Sequence, residues 1–265
     1  MKRYLVIGNP IDHSLSPKLH NYWIKKNKIN AAYDKKKLNE IDIKSIISEV
    51  RNGKMDGLNV TVPFKKSIIP FLDQLSSEAN EVQSVNTVYK ENNKIIGHNT
   101  DTIGFELALR SIDYDMKGKK IFILGAGGVV SSIILALKKA GASEIVLSNR
   151  TKEKAENLKK IYSYLKVVDW GDIPDFNMII NATSLGLKED DEIKLNYAVI
   201  GPNKLFYDII YNPSETKFLS KAKQFGNQIE NGKAMFAYQA QLAFEIWHDI
   251  KPTVDKKILK LLDND

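Results

Sequence analysis

The sequence predicts an α/β chain of two domains, the first with a mixed sheet and the second with a doubly wound parallel one. Three observations carry this. Short strand-like runs alternate with helical ones on both sides of a helical segment that begins near residue 101. One apolar strand, Lys119 to Leu124, runs straight into a glycine turn and an apolar-periodic helix. Neither repeats nor a low-complexity linker interrupt the pattern, so the expected domains are residues 1–102 and 103–233.

In the first domain, Tyr4 to Gly8 reads as a strand, followed by a loop and a helix from Pro17 to about Lys26. Further strands are expected at Tyr33 to Leu38 and Leu58 to Val62. Val85 to Tyr89 and Lys94 to His98 form a hairpin pattern around the turn signal Asn92-Asn93. In the second domain the helix after the glycine turn continues to about Ala140, where Gly141 closes it. Glu144 to Ser148, Lys166 to Val168, Asn177 to Asn181 and Lys204 to Asp208 supply more strands, with helical stretches such as Lys152 to Tyr162 between some of them. The tail carries two helices, Ala234 to His248 and Lys256 to Leu262.

Composition removes several function classes. Its 265 residues are 43% hydrophobic, enough for two modest cores. No apolar run approaches the roughly 20 residues of a spanning helix, and the N-terminus lacks a signal-peptide pattern, so a cytoplasmic protein is expected. Cysteine is absent, which removes disulfides, thiolate ligands and thiol nucleophiles. The four histidines form no HxxxH pair, so no metal is expected. Net charge is +7, but the lysines are scattered and not interleaved with aromatics. That pattern suits a solvated surface that attracts anionic small molecules, not a nucleic-acid platform.

The glycine turn Gly125-Ala126-Gly127-Gly128 follows a strand and opens a helix. Backbone N–H groups and the positive end of the helix dipole there suit a dinucleotide pyrophosphate, and the pattern is Rossmann-like. A tight turn without ligand is the alternative. The third position of the usual fingerprint is Val130, which predicts looser helix packing. At the end of the second strand stands Asn149-Arg150-Thr151, where NAD-binding folds place an acidic residue. A guanidinium there suits the 2′-phosphate of NADP, with Lys152 and Lys154 adding positive charge, unless Arg150 is only a solvated surface charge.

In the first domain, Leu58-Asn59-Val60-Thr61-Val62-Pro63-Phe64-Lys65 alternates so that Asn59 and Thr61 share a face, and Lys65 follows beyond the strand. By itself Lys65 reads more readily as a solvated lysine than as a catalyst. Asp101 reads locally as an N-cap, although a capping carboxylate can also face a ligand. Ser14 and Ser16 stand just ahead of a helix N-terminus, suited either to bind a carboxylate or, with Ser16 as N-cap and Pro17 after it, to start the helix. Asn86 and Thr87 are divided between hairpin chemistry and ligand contacts.

These segments together resemble the shikimate dehydrogenase family through nearly the whole chain. The strings that carry the resemblance are GNPIDHSLSPKLHN, GLNVTVPFK, SVNTV, GHNTDTIGF, ILGAGG, SNRT, NATSLG, YDIIYNPSETKFL and NGKAMFAYQAQLAFEIW, in that order. The resemblance implies NADP-linked interconversion of 3-dehydroshikimate and shikimate by a monomer or homodimer, in aromatic amino-acid biosynthesis. It implies that residues 234–265 return to complete the first domain. Lys65 and Asp101 become the catalytic pair. Ser14 and Ser16 are assigned to the substrate carboxylate, and Asn59, Thr61, Asn86, Tyr211 and Gln239 to other substrate contacts. Gly125, Ala126, Gly127 and Gly128 take the pyrophosphate, and Asn149, Arg150 and Thr151 the adenosine phosphate. Asn181, Thr183, Ser184, Ile209 and Gly232 line the nicotinamide end.

The chain departs from the family's pattern at Val129-Val130-Ser131-Ser132, where a basic residue is frequent, and at Lys154, where arginine is. Both departures imply a weaker grip on NADP. Two rival readings are a quinate/shikimate dehydrogenase using NAD and a noncatalytic NADP-binding module.

Overall fold

The computed structural model describes residues 1–263 and divides the chain into two compact units. One comprises Met1–Phe105 with Ala237–Leu262, the other Glu106–Phe236. The chain leaves the first unit within one helix, Asp101–Ser111, and re-enters it within another, Lys233–His248.

The first unit holds strands β1 (Lys2–Gly8), β2 (Ala31–Lys37), β3 (Gly57–Val60), β4 (Gln74–Leu75), β5 (Thr87–Glu91) and β6 (Lys94–His98). They form one sheet in the order β2-β1-β3-β5-β6-β4. β1 pairs parallel with β2 and β3, while β5 runs antiparallel to β3 and β6, so the sheet is mixed as the pattern predicts. Helices α1 (Ser16–Lys26), α2 (Ile43–Arg51), α3 (Phe64–Ser67) and α4 (Ser77–Val82) belong to this unit, and α5 (Asp101–Ser111) leads out of it. α2, absent from the elements expected above, buries Ile43, Ile46, Ile47 and Val50 at helical spacing against the sheet core with Leu58 and Val60.

The second unit has strands β7 (Lys120–Leu124), β8 (Glu144–Ser148), β9 (Lys166–Val168), β10 (Met178–Asn181), β11 (Leu205–Asp208) and β12 (Gln228–Glu230). Their order is β12-β11-β10-β7-β8-β9 and every pairing is parallel. This is a doubly wound sheet whose order reverses at β7, the position where such sheets bind ligands beyond their carboxyl ends. Between strands run α6 (Val130–Lys139), α7 (Lys152–Ile161), α8 (Tyr197–Ile200) and α9 (Lys217–Gln224). β7, β10 and β11 are buried along almost their whole length, as a covered parallel sheet requires.

Helix α10 (Lys233–His248) and α11 (Lys256–Leu261) end the chain. Within the first unit, Trp247 of α10 lies against the sheet at Gly57, and its indole Nε1 donates to the Val88 carbonyl at 3.3 Å. A Cβ at Gly57 would sit 2.5 Å from that indole nitrogen. Tyr4 stacks on Trp247 with centroids 4.8 Å apart. His20 of α1 is fully enclosed nearby, lying flat on Tyr33 at 4.2 Å and 2° with neither ring nitrogen partnered.

Three local expectations change. Ser16 is not the N-cap of α1: Leu15 holds that position without a side-chain bond, and the Ser16 N–H donates to Ser14 Oγ at 3.3 Å. Asp101 is not an N-cap either. α5 begins at Asp101 itself, because Asn99 Oδ1 accepts from the N–H groups of Asp101 and Thr102 at 3.1 and 3.2 Å. β3 ends at Val60, because the chain turns where Phe64 N donates to the Thr61 carbonyl at 2.9 Å, leaving Val62 exposed and off the apolar face.

Burial pushes His20 down to about 3 from an ordinary value of 6.5, with the nearby His248 adding repulsion. A depressed folded-state pKa means that stability is complete above about 6.5 and is lost as pH falls through that window toward 3. The melting temperature should therefore drop on acidification in this range, and His20→Phe should flatten the drop; equal slopes in the two proteins would remove His20 as the cause. Gly57→Ala should cost about 1–3 kcal/mol in denaturant unfolding by overpacking against Trp247, and an unchanged midpoint would show that the indole yields freely.

Candidate active site

Lys65 lies in the single turn of α3, just past the end of β3. Its backbone carbonyl accepts from the Val85 N–H at 2.8 Å, which ties that turn to the start of β5. Its ammonium meets Asp101 Oδ2 at 2.7 Å, the two side chains being only 12% and 7% exposed. This is not a solvated surface lysine. The other carboxylate oxygen, Asp101 Oδ1, accepts from Asn86 Nδ2 at 2.9 Å. Asn86 is itself oriented by the Thr100 N–H, which donates to its Oδ1 at 2.9 Å. Its Nδ2 also lies 2.9 Å from Thr100 Oγ1 and 3.5 Å from Gln239 Oε1.

Gln239 reaches this cluster because α10 packs closely on α5: a Cβ at Gly104 would lie 2.9 Å from the Gln239 backbone nitrogen. Asn59 also joins, but inward. Its Oδ1 accepts from the Tyr33 hydroxyl at 2.6 Å, and its Nδ2 donates to the Asn86 carbonyl at 3.0 Å and to Thr87 Oγ1 at 3.2 Å. Thr61 is half-buried and close to Gly8, where a Cβ would meet the Thr61 methyl at 2.5 Å. Ser14 is half-buried and Ser16 is buried. The first unit thus brings Lys65, Asp101, Asn59, Asn86 and Gln239 into one hydrogen-bonded cluster that the Tyr33 hydroxyl also joins.

Tyr211 belongs to the second unit, where its ring packs on Phe236 with centroids 4.7 Å apart. In that unit, strand register places Leu124, Ser148, Val168, Asn181 and Asp208 at one level at the carboxyl edge. The expected cofactor residues are the first ones beyond it. Gly125 follows β7 with φ +111°, and a Cβ there would stand 2.7 Å from the Ala182 carbonyl. Added Cβ atoms at Gly127 and Gly128 would meet open space, apart from one carbonyl 3.9 Å from Gly127. No side chain caps the start of α6 just beyond them. A backbone that bare beside a helix N-terminus fits a dinucleotide pyrophosphate.

Asn149 follows β8 and braces its turn by donating from Nδ2 to the Thr151 carbonyl at 2.7 Å. Arg150 and Thr151 are exposed. Lys152 pairs with Asp169 at 2.7 Å, so it is partly neutralised, whereas among the described residues Arg150 has no acidic partner. Beyond β10, Asn181 Oδ1 accepts from the Thr183 N–H at 3.0 Å and from its hydroxyl at 2.7 Å, while Ser184 is exposed. Beyond β11, Ile209 is half-buried, and Gly232 approaches it so closely that a Cβ would stand 2.0 Å from its carbonyl oxygen. The glycine is therefore required.

Sequence reasoning missed the group that joins these last two loops. Asp208 is fully buried and accepts three bonds: from Asn181 Nδ2 at 3.0 Å, from the Ile210 N–H at 3.0 Å and from the Thr216 hydroxyl at 2.7 Å. Burial raises it to about 6, but a carboxylate that accepts from three donors is the ionised form at neutral pH. Its signal was a lone charge ending the apolar strand Leu205–Asp208. Tyr33 was missed too, because nothing in its local sequence marks it.

Among the described residues no cluster of His, Cys, Asp and Glu could hold a metal ion, and no helix is long and apolar enough to cross a membrane.

Comparison with known proteins fits this geometry. Residues 6–88 match the model of the shikimate dehydrogenase substrate binding domain, and residues 106–187 that of shikimate / quinate 5-dehydrogenase. The shikimate dehydrogenase (NADP(+)) of Pelagibacter ubique is 60% identical over 262 residues, covering 99% of both chains. The crystal structure of shikimate dehydrogenase from Aquifex aeolicus superposes with a TM-score of 0.89 at 40% identity, over 98% of this chain and 96% of that one. The Thermus thermophilus enzyme, solved with NADP(H) and shikimate, gives 0.88 at 31% identity over 98% and 97%. Matched along almost its entire length, the chain belongs to the shikimate dehydrogenase family.

Proposed function

We propose that this protein catalyses the reversible NADPH-dependent reduction of 3-dehydroshikimate to shikimate, in the cytoplasm, with Lys65 as the proton-transferring group. The observation that carries this reading is the short, largely buried ion pair between Lys65 Nζ and Asp101 Oδ2. An ammonium withdrawn from bulk water and held by one carboxylate keeps its remaining N–H bonds for a substrate oxygen.

Reduction of a ring ketone builds negative charge on its oxygen, and Lys65 supplies the proton that this oxygen takes up. In the reverse direction Lys65 receives the hydroxyl proton. Bound NADPH supplies the hydride. Asp101 fixes the direction of the ammonium and keeps an acceptor face toward a substrate hydroxyl, while Asn86 holds the other carboxylate oxygen. Ser14 and Ser16 offer hydroxyls to the substrate carboxylate, with Thr61, Asn86, Gln239 and Tyr211 as further contacts. For the cofactor, the bare turn at Gly125, Ala126, Gly127 and Gly128 holds the pyrophosphate. Arg150 with Asn149 and Thr151 holds the 2′-phosphate, and Thr183, Ser184, Ile209 and Gly232 bound the nicotinamide.

Absorbance at the NADPH band, with purified protein, shikimate and NADP or NAD, tests the whole reading. Lys65→Ala should lower kcat by about 10²–10⁴-fold, the range for removal of a general acid, with the shikimate KM changed only a few-fold. Unchanged turnover would take Lys65 out of the chemistry. Arg150→Ala should raise the NADP KM about ten-fold or more while moving the NAD KM little, since only NADP carries the phosphate; parallel effects on the two cofactors would count against the phosphate clamp.

A further inference from the structure

Tyr33 stands outside every role assigned so far, yet it is firmly held beside the catalytic cluster. It is 3% exposed on β2. Asn21 of α1 clamps its backbone on both sides, donating from Nδ2 to the Tyr33 carbonyl at 2.7 Å and accepting from its N–H at 3.0 Å. The imidazole of His20 lies flat on its ring. With ring and backbone fixed, the phenolic oxygen has one place to be. There it donates to Asn59 Oδ1 at 2.6 Å.

From Asn59 the bonds run on without a break. Asn59 Nδ2 reaches the Asn86 carbonyl and Thr87 Oγ1, and the Thr87 hydroxyl donates to Asn86 Oδ1 at 3.1 Å. Asn86 Nδ2 then meets Asp101, and Asp101 meets Lys65. We infer that Tyr33 is a positioning residue for the reaction: its hydroxyl pins Asn59, and through Asn59 and Thr87 it fixes the amide that orients the Asp101–Lys65 pair. This inference rests on the function proposed above, because it supposes that Lys65 and Asp101 act on the substrate.

Physical chemistry sets the size of the effect. Removing the phenolic hydrogen bond leaves Asn59 Oδ1 as a buried acceptor without a donor. Asn59 can then relax toward other partners, and the looseness passes to Asn86. One neutral hydrogen bond corresponds to about a 3- to 10-fold change in rate.

The test uses the full-length protein and two variants, Tyr33→Phe and Thr87→Val, assayed for shikimate oxidation beside the wild type. Each should lower kcat by about 3- to 10-fold while both KM values stay within about two-fold, the signature of lost transition-state alignment. Thr87→Ser, which keeps the hydroxyl, should restore kcat to within about two-fold of wild type. Circular dichroism and the melting temperature check folding, and if Tyr33→Phe fails to fold, the Thr87 pair decides. Wild-type kcat in a folded Tyr33→Phe would overturn the inference. So would a Thr87→Ser protein as slow as Thr87→Val, since packing and not hydrogen bonding would then be responsible. A wild-type protein inert toward shikimate with NADP would overturn the functional reading and this inference with it, whereas an active wild type with indifferent variants would overturn the inference alone.

Discussion

A lysine and an aspartate withdrawn from water stay charged only when each has the other and the remaining polar atoms are satisfied. Breaking such a pair leaves an uncompensated charge, so its surroundings must be built around it. The first unit is arranged in this way. The turn after β3 carries the ammonium, the start of α5 carries the carboxylate, and the end of β6 leads directly into that helix. Asn99 caps α5 so that Asp101 is freed from the capping task and its side chain is available to Lys65 and Asn86. One asparagine starts the helix, and another occupies the carboxylate.

The second unit meets a different requirement with similar means. A parallel sheet ends all its strands at one edge, and the loops beyond that edge must be precise in order to hold a ligand. Asp208 and Asn181, opposite each other in register, bond side chain to side chain and anchor both following loops. Close backbone approaches at Gly125 and Gly232 complete the arrangement, each excluding any larger residue. Both units thus spend fully buried polar side chains on aligning loops, which stiffens the places where chemistry is expected and leaves little freedom for substitution there.

Strands with several consecutive apolar residues, such as those at β7, β8 and β10, were legible from composition alone, as was the glycine turn, because burial on both faces imposes one residue class. β4 and β12, with two and three residues, are too short to show any periodicity. The identities of Lys65 and Asp101 were legible only through resemblance. Nothing in a lysine after a proline distinguishes a solvated amine from a buried one until the chain turn and the carboxylate 36 positions away are placed. Asp101 and Ser16 are ambiguous when read locally because capping residues and buried ligand-facing residues share the same short polar chemistry. Tyr33 was invisible for the opposite reason: its hydrogen-bond partners, Asn21 of α1 and Asn59 of β3, stand 12 and 26 positions away in sequence.

The chain builds its first unit from both of its ends. Gly57 receives Trp247, and Asn86 is reached by Gln239, 153 positions later. During synthesis the intervening doubly wound unit can collapse as soon as its own strands emerge, while the opening hundred residues wait with an incomplete core until α10 is released. Gln239 therefore joins the lysine–aspartate centre only after the residues of the doubly wound unit have been made. A chain that stops short of its final thirty or so residues carries a finished nucleotide fold beside an exposed and unsealed sheet, a form that chaperones and proteases are suited to recognise.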